Sequence, residues 1–157
     1  MNEMQGIRSV AIGSDHSAFA QKEFLKTYLQ TAGYRVLDVG CFGTDKVDYP
    51  DIAVAVCRRV MSEDCERGIM LDGAGIGSCM AANKIKGIRA ALCYDLRTVI
   101  NSREHNNANV LCLGGPLHDA GQLADMARTW LETRFGGGRH LVRVNKIMAI
   151  ERGGFGA

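Results

Sequence analysis

The sequence predicts an α/β fold in which an open parallel sheet carries helices on both faces. Its 157 residues suffice for one domain with a core of its own. Five short apolar runs alternate with amphipathic segments, and no linker or low-complexity stretch divides them. This alternation is typical of strand–helix units, because parallel strands need a crossover that is usually a helix. We therefore predict a single domain over residues 1–157.

The five apolar runs predict the strands. Each run is compact and ends at Gly, Asp or Tyr, and continuous apolar runs of this length are typical of parallel strands buried on both faces. The runs are SVAIGSD (9–15), YRVLDVG (34–40), RGIMLDG (67–73), IRAALCY (88–94) and NVLCLGG (109–115).

The intervening segments predict helices. Apolar residues recur at helical spacing over 24–32, and Gly33 stands where that helix would end. Residues 52–60 repeat the pattern, with Pro50 in the first turn. Further helices are predicted at 77–86, 95–105, 119–134 and 139–151.

Composition and charge exclude several classes of protein. A net charge of +2 gives no reason to propose nucleic acid or an anionic membrane as a partner. No run approaches the roughly 18 apolar residues of a membrane span, and MNEMQGIRSV lacks a signal-peptide core. We expect a cytoplasmic protein with six reduced, mostly structural cysteines. Four histidines, no two of them close in sequence, make a zinc site unexpected.

Polar residues follow the predicted strands. Asp15 and His16 come after the first strand, Asp72 ends the third, and Tyr94 and Asp95 follow the fourth. Ligands of open α/β sheets bind beyond the carboxyl ends of the strands. We therefore expect the functional site at that edge.

The segment DGAGIG (72–77) has glycine at every second position and leads into a helix predicted to begin near Ser78. Glycines allow backbone N–H groups to line an anion pocket at a helix N-terminus. The segment is neither a P-loop nor a dinucleotide fingerprint, because the Lys-Ser/Thr is missing and the glycine spacing differs. The residues leave two interpretations equally open: an anion or oxyanion site, and a tight strand-to-helix turn.

Two basic segments lie further along the chain. SREHNN (102–107) contains Arg103, His105 and Asn106, either as site residues or as a basic helix end that complements the dipole. Arg139 and Arg143 lie four residues apart on one helical face. Such a pair either binds phosphate or forms a solvated basic face.

Together these segments resemble the family of type B ribose-5-phosphate isomerases and galactose-6-phosphate isomerase subunits. The resemblance extends from about residue 8 to about residue 151. It rests on GSDHSAF, DYPDIA, GAGIG, AANKIKGIRAAL, REHNNANVLCLG and GGRHLVRV in this order. It implies a Rossmann-like three-layer αβα sandwich with a five-stranded parallel sheet. It further implies a homodimer or homotetramer with sites between subunits, a C-terminal helix that reaches the partner, and no metal or organic cofactor.

The resemblance also implies a reaction, the interconversion of aldose and ketose phosphates through an enediolate. Ribose 5-phosphate and ribulose 5-phosphate are the leading pair. By position, Asp72 stands where many members carry the cysteine base. His105 would assist ring opening, and the backbone N–H groups of Gly73, Gly75 and Gly77 would stabilise the oxyanion.

Further positions imply substrate binding. Asp15 and His16 would hold the sugar and its phosphate end, Tyr49 would lie near the sugar, and Asn106 would form a hydrogen bond with the substrate. The arginines that would bind phosphate, in the partner's site, are Arg139 and Arg143.

The chain departs from the family pattern at two of the predicted substrate-binding positions and at one position further along the sequence. Ala74 replaces a Thr or Ser that helps ring opening, and Ser78 stands where another branch places a glutamate base. Pro116 replaces a phosphate-binding arginine of many members. Another pentose, hexose or tetrose phosphate is therefore open as the substrate.

Three hypotheses follow. The chain is a self-sufficient isomerase with Asp72 as base, a subunit of a mixed assembly with a cysteine-bearing paralogue, or a sugar-phosphate-binding homologue without catalysis. The mixed assembly is favoured by the galactose-6-phosphate isomerase A subunit, which resembles this chain in having Asp at the position of Asp72. Cys79 is expected to face the core rather than replace the missing thiolate.

Overall fold

The computed structural model describes residues 7–154. Residues 1–6 and 155–157 lie outside this range. The prediction that MNEMQGIRSV is not a signal peptide therefore falls mostly outside the described residues. No helix within the described range is long and apolar enough to cross a membrane.

The described residues form the predicted α/β sheet. Its strands pair in parallel in the order β2-β1-β3-β5-β4. They are β1 Ser9–Ser14, β2 Arg35–Asp38, β3 Arg67–Asp72, β4 Ala90–Leu92 and β5 Val110–Gly114. Central β1, β3 and β5 are buried almost throughout, which agrees with their uninterrupted apolar sequences.

Helices cover both faces of the sheet and complete the Rossmann-like three-layer architecture. α1, α4 and α5 bury residues such as Leu25, Val99 and Trp130 against one face. α2 and α3 bury residues such as Val56 and Ala82 against the other. The helices are α1 Phe19–Thr31, α2 Tyr49–Met61, α3 Ile76–Ala82, α4 Leu96–Glu104, α5 Ala120–Glu132 and α6 Arg139–Glu151, with 3-10 turns at His16–Ala18 and Gly115–Leu117.

Helix α3 ends four residues earlier than the predicted 77–86. It begins at Ile76 and ends at Ala82. The Asn83 side chain then accepts from Ala90 N–H and donates to Ala90 O, both at 2.9 Å. The helix ends because this amide joins the backbone of edge strand β4 instead of continuing the helical turn.

Helix α6 begins and ends where the sequence predicts, and it contacts the segment that precedes β4. Glu151 Oε1 accepts from Gly87 N–H at 2.9 Å, and Arg89 lies against Met148. Val144 is buried, whereas four large apolar side chains of the helix are exposed, namely Leu141, Val142, Ile147 and Ile150. That this helix reaches a partner subunit stays a prediction.

Candidate active site

A crevice lies at the carboxyl ends of β1 and β3. β1 leads into α1 on one face of the sheet, whereas the adjacent β3 leads into α3 on the other. Open α/β sheets bind ligands at the point where adjacent strands lead to helices on opposite faces. The two strand ends are in contact, since Asp15 N–H donates to Leu71 O at 3.1 Å and a Cβ on Gly73 would lie 3.4 Å from Ser17 Oγ. The structure thus brings the first and third predicted segments together.

Asp15 and His16 occupy one wall of the crevice. Asp15 is buried, and its Oδ1 accepts from Ser17 N–H at 3.0 Å and Ser17 Oγ–H at 2.6 Å. Asp15 therefore caps the turn that follows β1. His16 Nδ1 accepts from Val47 N–H at 3.3 Å, so the neutral ring carries its proton on Nε2. This leaves Asp15 Oδ2 and His16 Nε2–H for a ligand.

Asp72 lies on the opposite wall, 5% exposed, with both carboxylate oxygens engaged by its own loop. Oδ1 accepts from the N–H groups of Ala74, at 3.0 Å, and Gly75. Oδ2 accepts from Ser78 N–H, at 3.0 Å, and from the Ser78 hydroxyl. A carboxylate offers about four lone-pair sites, so these contacts fill them. Asp72 is an anion held inside the pocket that the glycines form.

The loop still has backbone donors for a second anion. Within residues 7–154, the N–H groups of Gly73, Ile76 and Gly77 donate no hydrogen bond to protein. Gly75 has φ +77°, and a Cβ there would lie 2.6 Å from Leu92 and 2.9 Å from Gly114 N, so only glycine fits. Of the three predicted oxyanion donors, Gly73 and Gly77 are available, whereas Gly75 N–H is engaged with Asp72.

The Tyr49 ring covers the end of the loop. A Cβ on Gly77 would lie 2.4 Å from Tyr49 Cζ and 2.5 Å from its hydroxyl oxygen. Tyr49 begins α2 and remains 38% exposed. Ala74 is exposed between Gly73 and Gly75, where a substrate can contact it. The structure therefore brings Tyr49, Ala74 and the loop glycines together, as the sequence predicts.

The remaining predicted residues lie at the amino ends of the strands, which form the opposite edge of the sheet from the loop. His105 and Asn106 follow α4 and precede β5, so they stand at its amino end. Arg139 and Arg143 on the adjoining α6 are exposed and form no ion pair with the described residues. A five-residue strand such as β5 is roughly 17 Å long. One chain thus does not bring these groups to Asp72.

A residue that the sequence analysis does not select joins this second cluster. The His140 ring stacks on that of His105, with centroids 4.1 Å apart and planes 9° apart. Desolvation first, then the neighbouring His105, Arg139 and Arg143, lower the pKa of His140. The sequence could have pointed to His140 through its place in GGRH, next to Arg139, a predicted phosphate ligand.

Two other polar residues from the sequence analysis have structural roles. Asp95 caps α4 by accepting from Thr98 N–H at 2.7 Å. Arg103 is buried, and it donates to Ala108 O at 2.6 Å and to Asn107 Oδ1 at 2.9 Å. Burial lowers the pKa of Arg103 to about 10.

Cys79 lies away from the loop, beside edge strand β4. Its Sγ is 3.5 Å from Ala90 O, and it borders a cavity of about 430 Å³. Contact with Cys112 lowers the pKa of the Cys79 thiol to about 7, despite partial burial. The expectation of a core position holds only in part, because Cys79 is partly exposed. All six cysteines are free thiols.

The charged and polar groups of residues 7–154 form no cluster of three His, Cys, Asp or Glu side chains that could hold a metal ion. The two sets of candidate groups instead combine backbone N–H donors, carboxylates, imidazoles and guanidinium groups. Such groups can bind phosphate, move protons and stabilise an oxyanion.

Comparison with known proteins decides the family. The sequence model of the ribose/galactose isomerases matches residues 10–147. The chain belongs to this family. Ribose-5-phosphate isomerase B of Escherichia coli is 35% identical over 146 residues, which are 93% of this chain and 98% of the relative.

Solved structures of the family have the same fold. Ribose-5-phosphate isomerase B of Clostridium thermocellum superposes with a TM-score of 0.91 at 43% identity, covering 92% of this chain and 98% of that one. The type B enzyme of Trypanosoma brucei gives 0.88 at 41% identity, covering 92% and 99%. The resemblance and the enzyme class predicted from the sequence are confirmed: the protein is a sugar-phosphate isomerase, an intramolecular oxidoreductase.

Proposed function

We propose that the protein interconverts ribose 5-phosphate and ribulose 5-phosphate, with residues 1–157 acting as one isomerase domain. The relatives named above are ribose-5-phosphate isomerases at 35–43% identity over nearly the whole chain. The observation that carries the proposal is the glycine loop, where Gly73 and Gly77 offer free N–H groups beside a carboxylate. Isomerisation moves a proton between C1 and C2 through an enediolate, and those donors suit its oxyanion.

We propose that two chains build each site. His105, Asn106, Arg139 and Arg143 lie at the edge of the sheet opposite the loop, so they can act with Asp72 only across a subunit boundary. The four exposed apolar side chains of α6 support such an assembly, because large apolar side chains left exposed on one element are candidates for an interaction surface. A homodimer or homotetramer satisfies this geometry.

Each part of the divided site then has its task. Asp15 and His16 hold the sugar beside Tyr49, while Arg139 and Arg143 of the second chain bind the phosphate. His105 assists ring opening by proton transfer, and Asn106 forms a hydrogen bond with the substrate. No metal or organic cofactor takes part in the proposal.

Asp72 takes the proton in this scheme. The Ser78 hydroxyl can rotate about Cα–Cβ without moving the backbone, which frees one lone pair on Asp72 Oδ2. The three backbone hydrogen bonds then hold the carboxylate in place during proton transfer. Orientation of this kind is a large part of the contribution of a catalytic base.

The full engagement of Asp72 also favours a second candidate. A carboxylate whose lone pairs are all occupied is suited to holding the loop rather than moving protons. The chain would then be the half of a mixed assembly whose cysteine-bearing paralogue supplies the base. A chain that binds sugar phosphate without catalysis would share this geometry.

Replacement of Asp72 distinguishes these functions. If Asp72 is the base, Asp72→Asn loses at least about a hundredfold in turnover of ribose 5-phosphate, and Asp72→Cys keeps substantial turnover. Phosphate binding by both variants, measured calorimetrically, shows that the loop and the arginines survive. Arg97→Gln, an exposed change on α4, is the matched control and keeps normal turnover.

Other outcomes contradict the base assignment. Turnover retained by Asp72→Asn excludes Asp72 as the base. Inactive wild-type protein that becomes active on mixing with a cysteine-bearing paralogue establishes the mixed assembly. Ligand binding without turnover or C2 proton exchange in all these tests establishes the binding protein.

A further inference from the structure

Asn101 connects His105 and Asn106 in the cluster at the amino edge of the sheet. It lies on α4, four residues before His105 and therefore on the same helical face. Asn101 Nδ2 is 2.9 Å from His105 Nδ1, and Asn101 Oδ1 is 3.1 Å from Asn106 Nδ2. Neither the sequence motifs nor the proposed mechanism uses this residue.

The hydrogen bonds fix which end of each amide faces which partner. Asn101 O, a carbonyl that can only accept, is 3.3 Å from the Asn106 side chain, so the NH2 end of Asn106 must face it. That same NH2 group also donates to Asn101 Oδ1. The Asn101 NH2 group is therefore left to face His105 Nδ1.

This polarity determines the protonation pattern of the His105 ring. An amide NH2 can only donate, so Nδ1 must accept and the proton of the neutral ring lies on Nε2. A doubly protonated ring would direct Nδ1–H against the amide N–H and lose the bond.

Charged side chains from two helices surround this cluster. From α6, His140 stacks on the His105 ring, and the charges of Arg139 and Arg143 act on His140. From α4, Glu104 acts on His140 with the opposite sign.

We propose that Asn101 is a positioning residue that holds His105 as the Nε2–H tautomer and aims Asn106, so that Nε2–H faces the substrate. The proposal rests on the proposed function, in which His105 Nε2–H passes its proton to the ring oxygen as the bond from C1 to that oxygen breaks, and Nε2 takes the O1–H proton in return. With the proton on Nε2 and the Nδ1 side bound by Asn101, the ring has one donor, and it points away from its own helix.

The tautomer is tested directly in the intact protein by ¹⁵N NMR of histidine side chains, with His105→Gln used to assign the signal. Wild type is expected to show Nε2 protonated and Nδ1 unprotonated. Asn101→Asp places an acceptor opposite Nδ1 and is expected to move the proton there. Asn101→Leu, which can neither donate nor accept, is expected to give a mixture. Wild type with the proton on Nδ1 overturns the proposal.

Kinetics separate positioning from a structural role. Ribose 5-phosphate is cyclic and must be opened, whereas ribulose 5-phosphate is acyclic because its O5 carries the phosphate. Asn101→Leu is expected to lose about tenfold in turnover of the aldose, less than the hundredfold or more for loss of the acid itself. Exchange of the C1 proton of ribulose 5-phosphate with solvent deuterium is expected to stay unchanged.

The control is Asn145→Leu, an exposed asparagine of α6, which is expected to change neither rate nor tautomer. Equal loss of both rates in Asn101→Leu overturns the positioning role. If wild type neither converts ribose 5-phosphate nor exchanges the C1 proton, the proposed function fails. The tautomer measurement then still decides what Asn101 does to His105.

Discussion

Asp72 illustrates how much depends on a single side chain. The sequence places an acid at the end of β3. In the structure its carboxylate accepts hydrogen bonds from the N–H groups of Ala74, Gly75 and Ser78. Its neighbours Gly73 and Gly77 keep their N–H groups. The loop therefore offers two anion positions, one filled by the protein itself and one open.

The contact between Gly77 and Tyr49 gives a prediction at this scale. In Gly77→Ala the new Cβ would lie 2.4 Å from Tyr49 Cζ, so the ring must move off the loop. We expect a severalfold increase in KM for ribose 5-phosphate with a smaller change in kcat. Initial rates over a range of substrate concentrations measure both.

A double variant is the control for this change. In Tyr49→Ala the obstructing ring is absent, so adding Gly77→Ala to it is expected to cost little more. If the two substitutions are fully additive in KM, the contact between ring and loop is not the cause.

At this scale the sequence predicts which residues meet at the crevice better than it predicts the contacts they form there. Asp15, Tyr49 and the glycines meet at the crevice because strand ends of one sheet share an edge. The hydrogen bonds of Asp72 depend on the backbone conformation of its loop, which the sequence DGAGIG does not determine. The spacing of four residues between Asn101 and His105 could have predicted their contact. An exposed Asn on a helix, however, does not by itself indicate a functional role.

At the scale of elements, helix α1 is attached to strand β2 by a buried ion pair. Lys22 of α1 is 0% exposed and lies 2.6 Å from Asp38 Oδ2 at the end of β2. Burial by itself would raise the pKa of Asp38, but hydrogen bonds from Lys22, Gly40 N–H and Lys26 outweigh it, and the pKa is lowered. The pair fixes the helix over the edge of the sheet.

Removal of the Asp38 charge is expected to destabilise the protein. Asp38→Asn leaves the buried Lys22 with Glu23, 2.9 Å away, as its remaining anionic partner. The loss of one carboxylate from this buried group is expected to cost up to about 3 kcal/mol in unfolding free energy. Because the pKa of Asp38 is lowered on folding, its stabilisation is present above the ordinary carboxyl pKa of about 4 and lost as the pH falls. The gap between wild type and variant is thus expected to shrink near pH 3.

Urea unfolding at pH 7 and pH 3 measures that gap. The control is Asp64→Asn, which removes an ion pair with Arg59 whose side chains are about half exposed, and little change is expected. An Asp38→Asn variant as stable as wild type at pH 7 would show that the pair is dispensable.

The elements themselves were largely predictable, for identifiable reasons. Continuous apolar runs marked the strands, and Gly33, with φ +93°, marked the end of α1 as predicted. Helix α3 was overestimated because its end is set by Asn83 and Ala90, a contact seven residues apart that periodicity does not contain.

At the scale of the whole molecule, the candidate residues divide between two edges of one sheet. Asp72 lies at the carboxyl edge, and His105 lies beyond the amino end of β5. Under the proposed function each edge holds part of the chemistry, and activity then requires that subunits associate. The sequence order of the motifs gives no sign of this separation, because it becomes visible only when the strand directions are known.

This arrangement predicts complementation between inactive variants. Asp72→Asn and His105→Gln are each expected to be inactive, but a hybrid dimer contains one site with both native residues. Random exchange of subunits is expected to restore about a quarter of wild-type activity, since half of the dimers are hybrids with one working site of two. The two variants are unfolded together, refolded and assayed.

Refolding each variant alone provides the baseline, and refolded wild type gives the maximum. Activity in the mixture no greater than the sum of the two separate samples would mean that Asp72 and His105 do not serve a common site across subunits.

The carboxylate held inside the glycine loop has a consequence for the energetics of ligand binding. Loops that recognise anions are often ordered by the anion, and the ordering entropy then weakens the affinity. Here residues 72–78 are ordered by their own aspartate when the chain folds. The loop is therefore already ordered before a sugar phosphate binds. Amide hydrogen exchange at Ala74 and Ser78 is expected to be as slow in the free protein as in the complex.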